Sequence, residues 1–430
     1  MSDWNRRSVA VLGVPFDNVT MREAIDVIEE KIEERGFHQV ATANVDFVIN
    51  AIHDQSLQEM LCSCDLIVPD GMPIVWASRL MGAKLKERVS GIDLIPRLAE
   101  LASRRHYGIY LLGASERSSR RAAEVLKKRF PKLHIAGRDS PPITSLSEMD
   151  HEAILRRIEQ AQPDVLLVAM GHPKQERWLA MHRHRLKVPL CMGVGASLDF
   201  LAGEFSRAPT WMQTAGLEWL YRAAQEPRRL AQRYLVDAYG LARHLPAQLA
   251  ANAIQPRTGR KPTILTDRQG NASVISISGN LTGSLVTEFE QQLGEAYRED
   301  RHIVLDLAKT TYFGLDSLGL LVHLAKKMND RERQLWLTAA PPHVIRVFRA
   351  ARMHGYFGVT PTVSDALYRV RKSESPSASE AIVVHSFTNP ARDKHVQVEM
   401  LKDLCRKIVF FSQATRLGAG RPSTSSSATR

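Results

Sequence analysis

The chain contains few cysteines and no long apolar run, and each of these absences excludes a class of protein. Its four cysteines, Cys62, Cys64, Cys191 and Cys405, include no C-x-x-C pair and lie beside no histidine cluster, so neither a disulfide framework nor a zinc site is expected. No run of about eighteen apolar residues occurs, and the apolar stretch after residues 1–7 is too short and too strand-like for a signal peptide. We therefore expect a cytoplasmic protein with reduced, mostly buried thiols.

Three nucleotide- or metal-binding motifs are also missing. Residues 108–115 have the glycine spacing of a P-loop without its lysine, and residues 193–198 carry two of the three glycines of a dinucleotide fingerprint. No Asp-x-Asp pair occurs, so the carboxylate pair that usually holds a divalent metal on a diphosphate is absent. We expect no metal, because arginine, lysine, backbone N–H groups or helix N-termini can meet the charge of a leaving group instead.

What is present is ordinary soluble composition with a basic excess. The 430 residues are 44% hydrophobic and 24% charged, with a formal net charge of +12, so the chain can form two or three domains. The charge fits nucleic acid, an anionic membrane surface or a phosphorylated substrate. The arginines cluster beside aromatic and leucine stripes and no recognised reading motif occurs, so nucleic-acid binding is not expected.

The apolar pattern divides the chain into five segments. Residues 1–202 alternate short apolar runs with amphipathic segments, which predicts an α/β core on a parallel or mixed sheet. Residues 203–245 form a basic helical appendage, residues 246–262 a linker, and residues 263–372 a second, smaller α/β domain. Residues 373–430 are too polar to pack, apart from a short helix around 398–411, and are expected to be largely disordered.

Chemistry is expected where the strands of the first domain end. The strands are predicted at residues 9–12, 38–42, 66–68, 108–112, 164–169 and 190–194. Ligands of open α/β sheets bind at the carboxyl ends of the strands. The residues at these ends are Thr42, Asn44, Asp70, Gly71, Gly113, Gly171 and Gly195.

Five strings occur in a specific order: ATANVD at residues 41–46, VPDGMP at 68–73, RVSGIDL at 88–94, GHPKQERW at 171–178 and GVGASLDF at 193–200. Together with residues 207–212, 216–222 and 226–229, they resemble the WecG/TagA/CpsF glycosyltransferases, also called glycosyltransferase family 26, over residues 8–245. The resemblance implies a Rossmann-like domain that transfers a sugar, with inversion and without a metal, from a UDP-sugar to a membrane-bound polyprenyl-diphosphate-linked saccharide. Such enzymes build cell-surface polysaccharides, and N-acetylmannosamine-type, uronate and glucose donors all stay open.

The resemblance implies that Asp70 is the general base. Asp70 ends a strand and precedes a glycine, where a carboxylate can project into a cleft and take a proton from the acceptor hydroxyl. A turn or capping aspartate is the alternative, because Asp-Gly is common in turns. Asp199 is the rival base.

The remaining site residues are also carried over from the resemblance. Thr42 and Arg88 complete the predicted catalytic set. Thr42 and Asn44 could equally cap a helix that starts near Val45. Arg88 could equally belong to a solvated run of surface charges. His172 alone is more typical of a structural residue than of a catalytic one. The predicted substrate-binding residues are Asn44, Gln175, Gly113, Gly171, Gly193, Gly195 and Asp199.

The basic appendage is predicted to contact the lipid-linked acceptor and the membrane that carries it. On a helical wheel Arg222, Arg229, Arg233 and Arg243 share one arc, opposite Leu217, Leu220, Leu230, Tyr234 and Leu241, with a kink at Pro227. Such a helix pair would sit on the anionic inner leaflet as a peripheral membrane element. A terminal helix with solvated arginines is the alternative. The predicted acceptor- or membrane-binding residues are Arg207, Arg222, Arg228, Arg229 and Arg233.

The second domain has its own resemblance. Residues 274–282, 302–307 and 318–321 resemble a STAS domain, the fold of anti-sigma-factor antagonists, which implies a module for a protein partner or for assembly, without catalysis. The match puts Gly314 and Leu315 where signalling members carry Asp-Ser, so no phosphorylation switch is expected at Ser317. A non-catalytic regulator that senses a nucleotide sugar and signals through this domain is the alternative function, and a homo-oligomer stays open.

Overall fold

A computed structural model describes residues 7–256 and 262–373 of the chain, and the predictions for residues 374–430 lie outside them. The first domain is built on six parallel strands in the order β4-β3-β8-β7-β5-β6, preceded by the antiparallel hairpin β1-β2. The strands are β1 (Ser8–Val11), β2 (Val14–Asp17), β3 (His38–Ala43), β4 (Leu66–Pro69), β5 (Gly108–Gly113), β6 (His134–Asp139), β7 (Val165–Ala169) and β8 (Leu190–Gly193). The central strands are apolar on both faces, as expected where helices cover a parallel sheet on both sides.

Short polar side chains start most of the helices that follow these strands. Thr20 closes a capping box with Glu23, and the side chains of Asn44, Ser115 and Asp150 accept N–H bonds of the first turns of their helices. The helices are α1 (Met21–Glu34), α2 (Val45–His53), α3 (Gln55–Cys62), α4 (Met72–Leu80), α5 (Gly91–Arg105), α6 (Glu116–Arg129), α7 (His151–Ala161), α8 (Lys174–His182) and α9 (Ser197–Leu201). The α/β prediction for this domain is confirmed.

The appendage comprises α10 (Thr210–Thr214), α11 (Glu218–Gln225) and α12 (Pro227–Ala253). Pro227 is the first residue of α12 and not a kink, because its missing N–H costs nothing at a helix start. The linker predicted from residue 246 is wrong in its first part, since α12 continues through Pro246. Hydrogen bonds to the first domain hold the last turns of α12. The Gln248 side chain accepts the Leu12 N–H and donates to the Ala10 carbonyl, and the Asn252 amide donates to the Met81 carbonyl at 3.0 Å.

The second domain is a five-stranded sheet in the order β13-β12-β11-β10-β9, with only the edge strand β9 antiparallel to its neighbour. Its elements are β9 (Thr263–Gln269), β10 (Ala272–Leu281), α13 (Ser284–Arg298), β11 (His302–Phe313), α14 (Leu315–Asp330), β12 (Leu335–Thr338), α15 (Pro342–Ala350), β13 (Gly358–Thr360) and α16 (Val363–Ser373). The prediction of a smaller second α/β domain is confirmed. Apolar alternation predicts strands at residues 273–277 and 302–307, which are β10 and β11, but not the polar edge strand β9 or the three-residue strand β13.

The first predicted strand does not belong to the main sheet. It is β1, and its hairpin packs on α14 of the second domain, where a Cβ at Gly319 would lie 2.2 Å from the Ser8 carbonyl oxygen. One apolar cluster runs without interruption from Val11 and Phe16 of the hairpin to Leu318 and Leu321 of α14. The two domains therefore share a core.

Three of the four cysteines lie within the described residues. Cys62, Cys64 and Cys191 are free and buried, which confirms the prediction of reduced, buried thiols for these positions. Burial raises the pKa of the Cys62 thiol to about 12 and raises that of Cys191 further. These thiols are therefore uncharged packing groups.

Candidate active site

A cavity of about 380 Å³ lies at the carboxyl ends of four adjacent strands, β4, β3, β8 and β7. Helices α11 and α12 form its opposite wall. The volume falls in the range of small-molecule sites. Of the residues predicted from sequence, the cavity is lined by Thr42, Asn44, Asp70, Arg88, Gly171, Gln175, Gly195, Arg222 and Arg233.

Asp70 follows β4 at the floor of this cavity. Its N–H donates to the Ala43 carbonyl at 2.9 Å, and its Oδ2 accepts the Gly91 N–H at 3.3 Å. Gly71, the next residue, has φ +151°, a conformation that side chains rarely adopt, and it caps α4. Burial raises the pKa of Asp70 to about 6, against the opposing attraction of Arg88 and the Gly91 N–H bond. A carboxyl with this pKa suits proton removal near neutral pH.

Thr42 and Asn44 line the cavity and also have partners within the protein. The Thr42 hydroxyl donates to the Gly193 carbonyl at 3.3 Å, and the Asn44 side-chain oxygen accepts the Phe47 N–H at 3.4 Å. The capping interpretation is therefore right for Asn44, which is the N-cap of α2. A capping oxygen keeps its amide NH₂ for other partners, so the cap does not remove Asn44 from the site.

Gln175 organises the turn after β8. Its Oε1 accepts the Gly195 N–H at 3.0 Å, and its Nε2 donates to Glu176 Oε1 at 2.7 Å. Gly193 has no room for a side chain, since a Cβ there would lie 2.5 Å from Gln175 Nε2. Gly193 does not line the cavity itself. Its role is to let Gln175 approach β8 and hold the turn.

Arg88 belongs to a network of four charges, and the surface-run interpretation of this residue is wrong. Its side chain is only 17% exposed and contacts Glu218 at 2.6 Å and Asp93 at 3.4 Å. Arg207 contacts the same two carboxylates, Asp93 at 2.7 Å and Glu218 at 3.4 Å. Arg207, predicted to contact acceptor or membrane, ties α5 to α11 and does not line the cavity. The network balances two positive charges with two negative ones.

Arg222 and Arg233 carry positive charge into the cavity from α11 and α12. The Arg222 guanidinium lies 4.8 Å from the centre of the Phe200 ring, and Arg233 lies close enough to Asp237 to oppose the rise in that carboxyl's pKa that burial causes. Within the described part of the chain neither arginine forms an ion pair at 4 Å or less. This wall of the cavity therefore offers positive charge to an anionic ligand.

The single helical wheel across the appendage is wrong. Arg233 and Tyr234, predicted on opposite sides, both line the cavity, and Leu220 is half exposed. The reason is the break at Glu226, which separates α11 from α12 and destroys the common angular register. The side chains of Arg228 and Arg229 lie outside the described structure.

Besides Gly193, two more of the predicted substrate-binding residues do not line the cavity. Gly113 ends β5 with φ +95°, and a Cβ there would lie 2.6 Å from the Ala169 carbonyl oxygen, so backbone packing explains it. Asp199 lies in α9 and does not line the cavity. The rival base is therefore not in position.

Asp237 is a site residue that sequence reasoning missed. Burial and repulsion from Asp46 raise its pKa to about 7, with Arg233 opposing. No local pattern signals this carboxyl, because α2 and α12 meet only in the fold. Glu218 was missed for the same reason, as its partner Arg88 comes from a different part of the chain.

The described residues contain neither a metal-binding cluster nor a membrane-spanning helix. In residues 7–256 and 262–373, no three side chains among His, Cys, Asp and Glu are grouped so that they could hold a metal ion. Over the same ranges, no helix combines the length and the apolarity needed to cross a bilayer.

Comparison with known proteins identifies both domains. Residues 9–254 match the model of the glycosyl transferase WecG/TagA/CpsF family, and residues 264–361 match that of the Mlab, STAS domain. Two relatives from Staphylococcus aureus, strains MRSA252 and MW2, are named N-acetylglucosaminyldiphosphoundecaprenol N-acetyl-beta-D-mannosaminyltransferase. They are 32% and 31% identical over 230 residues, which cover 53% of this chain and 89% of each relative. An anti-sigma factor antagonist from Mycobacterium paratuberculosis aligns with 27% of this chain and 99% of its own, at 24% identity and a TM-score of 0.25.

Proposed function

Because this chain belongs to the WecG/TagA/CpsF family of glycosyl transferases, we propose that it transfers a sugar from a UDP-sugar to a saccharide linked to polyprenyl diphosphate, in the synthesis of a cell-envelope glycan. The observation that carries the proposal is one cavity holding both a carboxyl of raised pKa, Asp70, and two arginines without ion pairs, Arg222 and Arg233. The names of the relatives make N-acetylmannosamine the first donor to test, before uronate and glucose.

Each part of the reaction has a group in this cavity. Asp70 takes the proton of the attacking acceptor hydroxyl, whose oxygen forms the new bond to the anomeric carbon. The bond from that carbon to the phosphate oxygen breaks on the opposite face, and UDP leaves with the electron pair. Arg222 and Arg233, which line the cavity, stabilise the charge of the departing diphosphate. The reaction inverts the sugar and needs no metal ion.

Thr42 and Arg88 support this arrangement in different ways. Thr42 is buried and links β3 to β8 beneath the substrates. Arg88 lowers the pKa of Asp70 against the effect of burial and is itself held by Glu218. We therefore assign Arg88 chiefly to tuning the base, with the free cations of the opposite wall left to the diphosphate.

The appendage presents a surface suited to a membrane that carries the acceptor lipid. Trp211, Leu235 and Tyr239 are more than half exposed on α10 and α12, next to a helix rich in arginine. Exposed apolar side chains beside basic ones bind the headgroup region of anionic bilayers. Peripheral association with the inner face of the plasma membrane is thus part of the proposal.

The STAS domain acts within the chain in this proposal and not through a separate partner. In β11, the Phe313 N–H donates a hydrogen bond to Gln255 Oε1, and the Phe313 carbonyl accepts one from Gln255 Nε2. The Tyr312 hydroxyl donates to Asn252 Oδ1 at 3.0 Å. Both amides belong to α12 or to the turn after it, and α12 also presents Arg233 to the cavity. Ser317 is fully buried, so a kinase has no access to it in this fold. The domain holds a wall of the active site.

A UDP-release assay tests the function. Purified chain is incubated with UDP-N-acetylmannosamine, a UDP-uronate or UDP-glucose, each with N-acetylglucosaminyl diphosphoundecaprenol, and free UDP is measured. We expect release that depends on both donor and acceptor and persists in EDTA. Binding of a UDP-sugar without acceptor-dependent release would favour the regulatory alternative, and loss of activity in EDTA would contradict the metal-free step.

A further inference from the structure

A buried pair of side chains, His172 and Glu176, lies at the β7 side of the cavity, which His172 lines. His172 follows β7, lines the cavity, and stacks on Phe47 with ring centres 3.6 Å apart. Its Nδ1 lies 3.0 Å from Glu176 Oε2, four residues along the chain. The other Glu176 oxygen accepts the Gln175 amide at 2.7 Å. The ring is thus fixed on its face by an aromatic group and on its edge by a carboxylate.

Both members of the pair are buried. The His172 side chain is 6% exposed and that of Glu176 is 2% exposed. A carboxylate only accepts hydrogen bonds, so Nδ1 carries a proton toward Glu176 and Nε2 is the end left over. Across residues 7–256 and 262–373 that Nε2 is buried and has no hydrogen-bond partner. Buried polar atoms are nearly always paired, and an exception in a cavity points to a ligand.

The position of His172 in the cavity indicates which part of a donor nucleotide its Nε2 would contact. Asp70 follows β4 and His172 follows β7, three strands away, which separates the strand ends by roughly 14 Å. His172 also precedes the first turn of α8, whose positive dipole end favours an anion. Gln175 and Glu176 connect it to the turn at Gly195. In the proposed reaction, the anionic group at the end of the cavity opposite the base would be the leaving diphosphate.

We propose that His172 is a further substrate-binding residue that carries a proton on both ring nitrogens in the complex: Nδ1–H donates to Glu176, and Nε2–H donates to a diphosphate oxygen of the donor. Glu176 is the positioning residue that holds the ring and balances its charge. This inference rests on the proposed function, since it needs a nucleotide diphosphate in the cavity. It explains why a histidine with an unpartnered nitrogen is buried there beside a carboxylate.

The test compares UDP with uridine, which lacks the diphosphate. Binding of both is measured for the wild type, His172→Ala, His172→Gln and Glu176→Gln, by calorimetry for UDP and ligand-observed NMR for uridine. A hydrogen bond to a charged group predicts a loss of UDP affinity of about 10- to 100-fold in His172→Ala, with uridine affinity unchanged. His172→Gln, which keeps an N–H donor, should recover part of the loss. His184→Ala, an exposed histidine of the same domain, is the matched control.

Glu176→Gln keeps a side-chain oxygen for the Gln175 amide, so its effect on UDP binding should pass through His172. The double variant His172→Ala/Glu176→Gln should therefore lose no more UDP affinity than His172→Ala alone. Equal losses for UDP and uridine, or no loss in His172→Ala, would overturn the proposal, because the histidine would then serve packing only. Thermal unfolding of each variant identifies any that fail to fold. If His172→Ala fails to fold, the UDP and uridine affinities of His172→Gln serve as the test. A wild type that binds UDP without transfer refutes the proposed function and leaves this comparison intact, whereas one that binds no UDP refutes both.

Discussion

Replacing Asp70 with asparagine should abolish transfer and, at the same time, stabilise the fold above neutral pH. Burial raises the pKa of this carboxyl from 3.8 to about 6. Each unit corresponds to about 1.4 kcal/mol, so ionised Asp70 costs the folded state up to about 3 kcal/mol. The value is an upper limit because the carboxyl borders an open cavity and water screens part of the penalty.

The sign follows from proton binding. Between about pH 4 and 6 the folded chain holds the Asp70 proton more tightly than the unfolded chain does, so the wild type loses stability as pH rises through this window. Above the window the penalty is constant. Asp70→Asn, which carries no charge at any pH, should therefore exceed the wild type by about 2–3 kcal/mol at pH 8 and match it at pH 3.5 to 4.

The assay combines urea unfolding at several pH values with UDP release. Wild-type turnover should rise with pH around a midpoint near 6, because only the ionised carboxyl accepts the proton. Asp199→Asn, the alternative base, is the matched comparison and should retain both turnover and the wild-type pH dependence of stability. Undiminished turnover in Asp70→Asn, or a variant less stable than wild type at pH 8, would refute the reasoning.

Three further predictions concern the shared core and the membrane surface. Gly319→Ala should lower the free energy of unfolding by about 1–3 kcal/mol, because its Cβ would overlap the Ser8 carbonyl. Gly355→Ala should leave the free energy of unfolding unchanged, because open space surrounds Gly355. Equal losses of stability in the two variants would contradict the close packing of α14 on the hairpin. Lys326→Met should cost about 3 kcal/mol at pH 7, since it removes the ammonium group that lies 2.8 Å from the buried Asp65 carboxylate. Burial alone would raise the pKa of Asp65, but His38 and Lys326 outweigh burial and hold that pKa well below its usual range. The loss of stability in Lys326→Met should therefore shrink as pH falls below about 4, where Asp65 begins to take up a proton. A difference in the free energy of chemical unfolding that does not change with pH would contradict the pairing. Leu235→Ser should reduce flotation with phosphatidylglycerol vesicles at low salt, whereas Leu265→Ser, on the exposed strand β9 and equally exposed, should not; identical flotation would remove the membrane proposal.

Local sequence was sufficient for much of the first domain. Asp70, Thr42 and Asn44 stand at the ends of apolar strands, and the ends of parallel strands converge in any open α/β sheet, so their meeting follows from the pattern alone. The ordered strings identified the family for the same reason, because each string combines a strand end with the turn after it. Capping by Asn44 was also evident, as a cap needs only the next three residues.

The fold decided everything that depends on contacts between distant segments. The pairing of Arg88 with Glu218, the use of Arg222 and Arg233 on a cavity wall, and the burial of Ser317 have no signature in the neighbouring residues. The strand at residues 8–11 has the apolar content of a sheet strand, and only packing against α14 shows that it belongs to the shared core. A sequence pattern reports the periodicity of one segment, whereas the partner of a charge or of an apolar face is set by which segments the whole chain brings together.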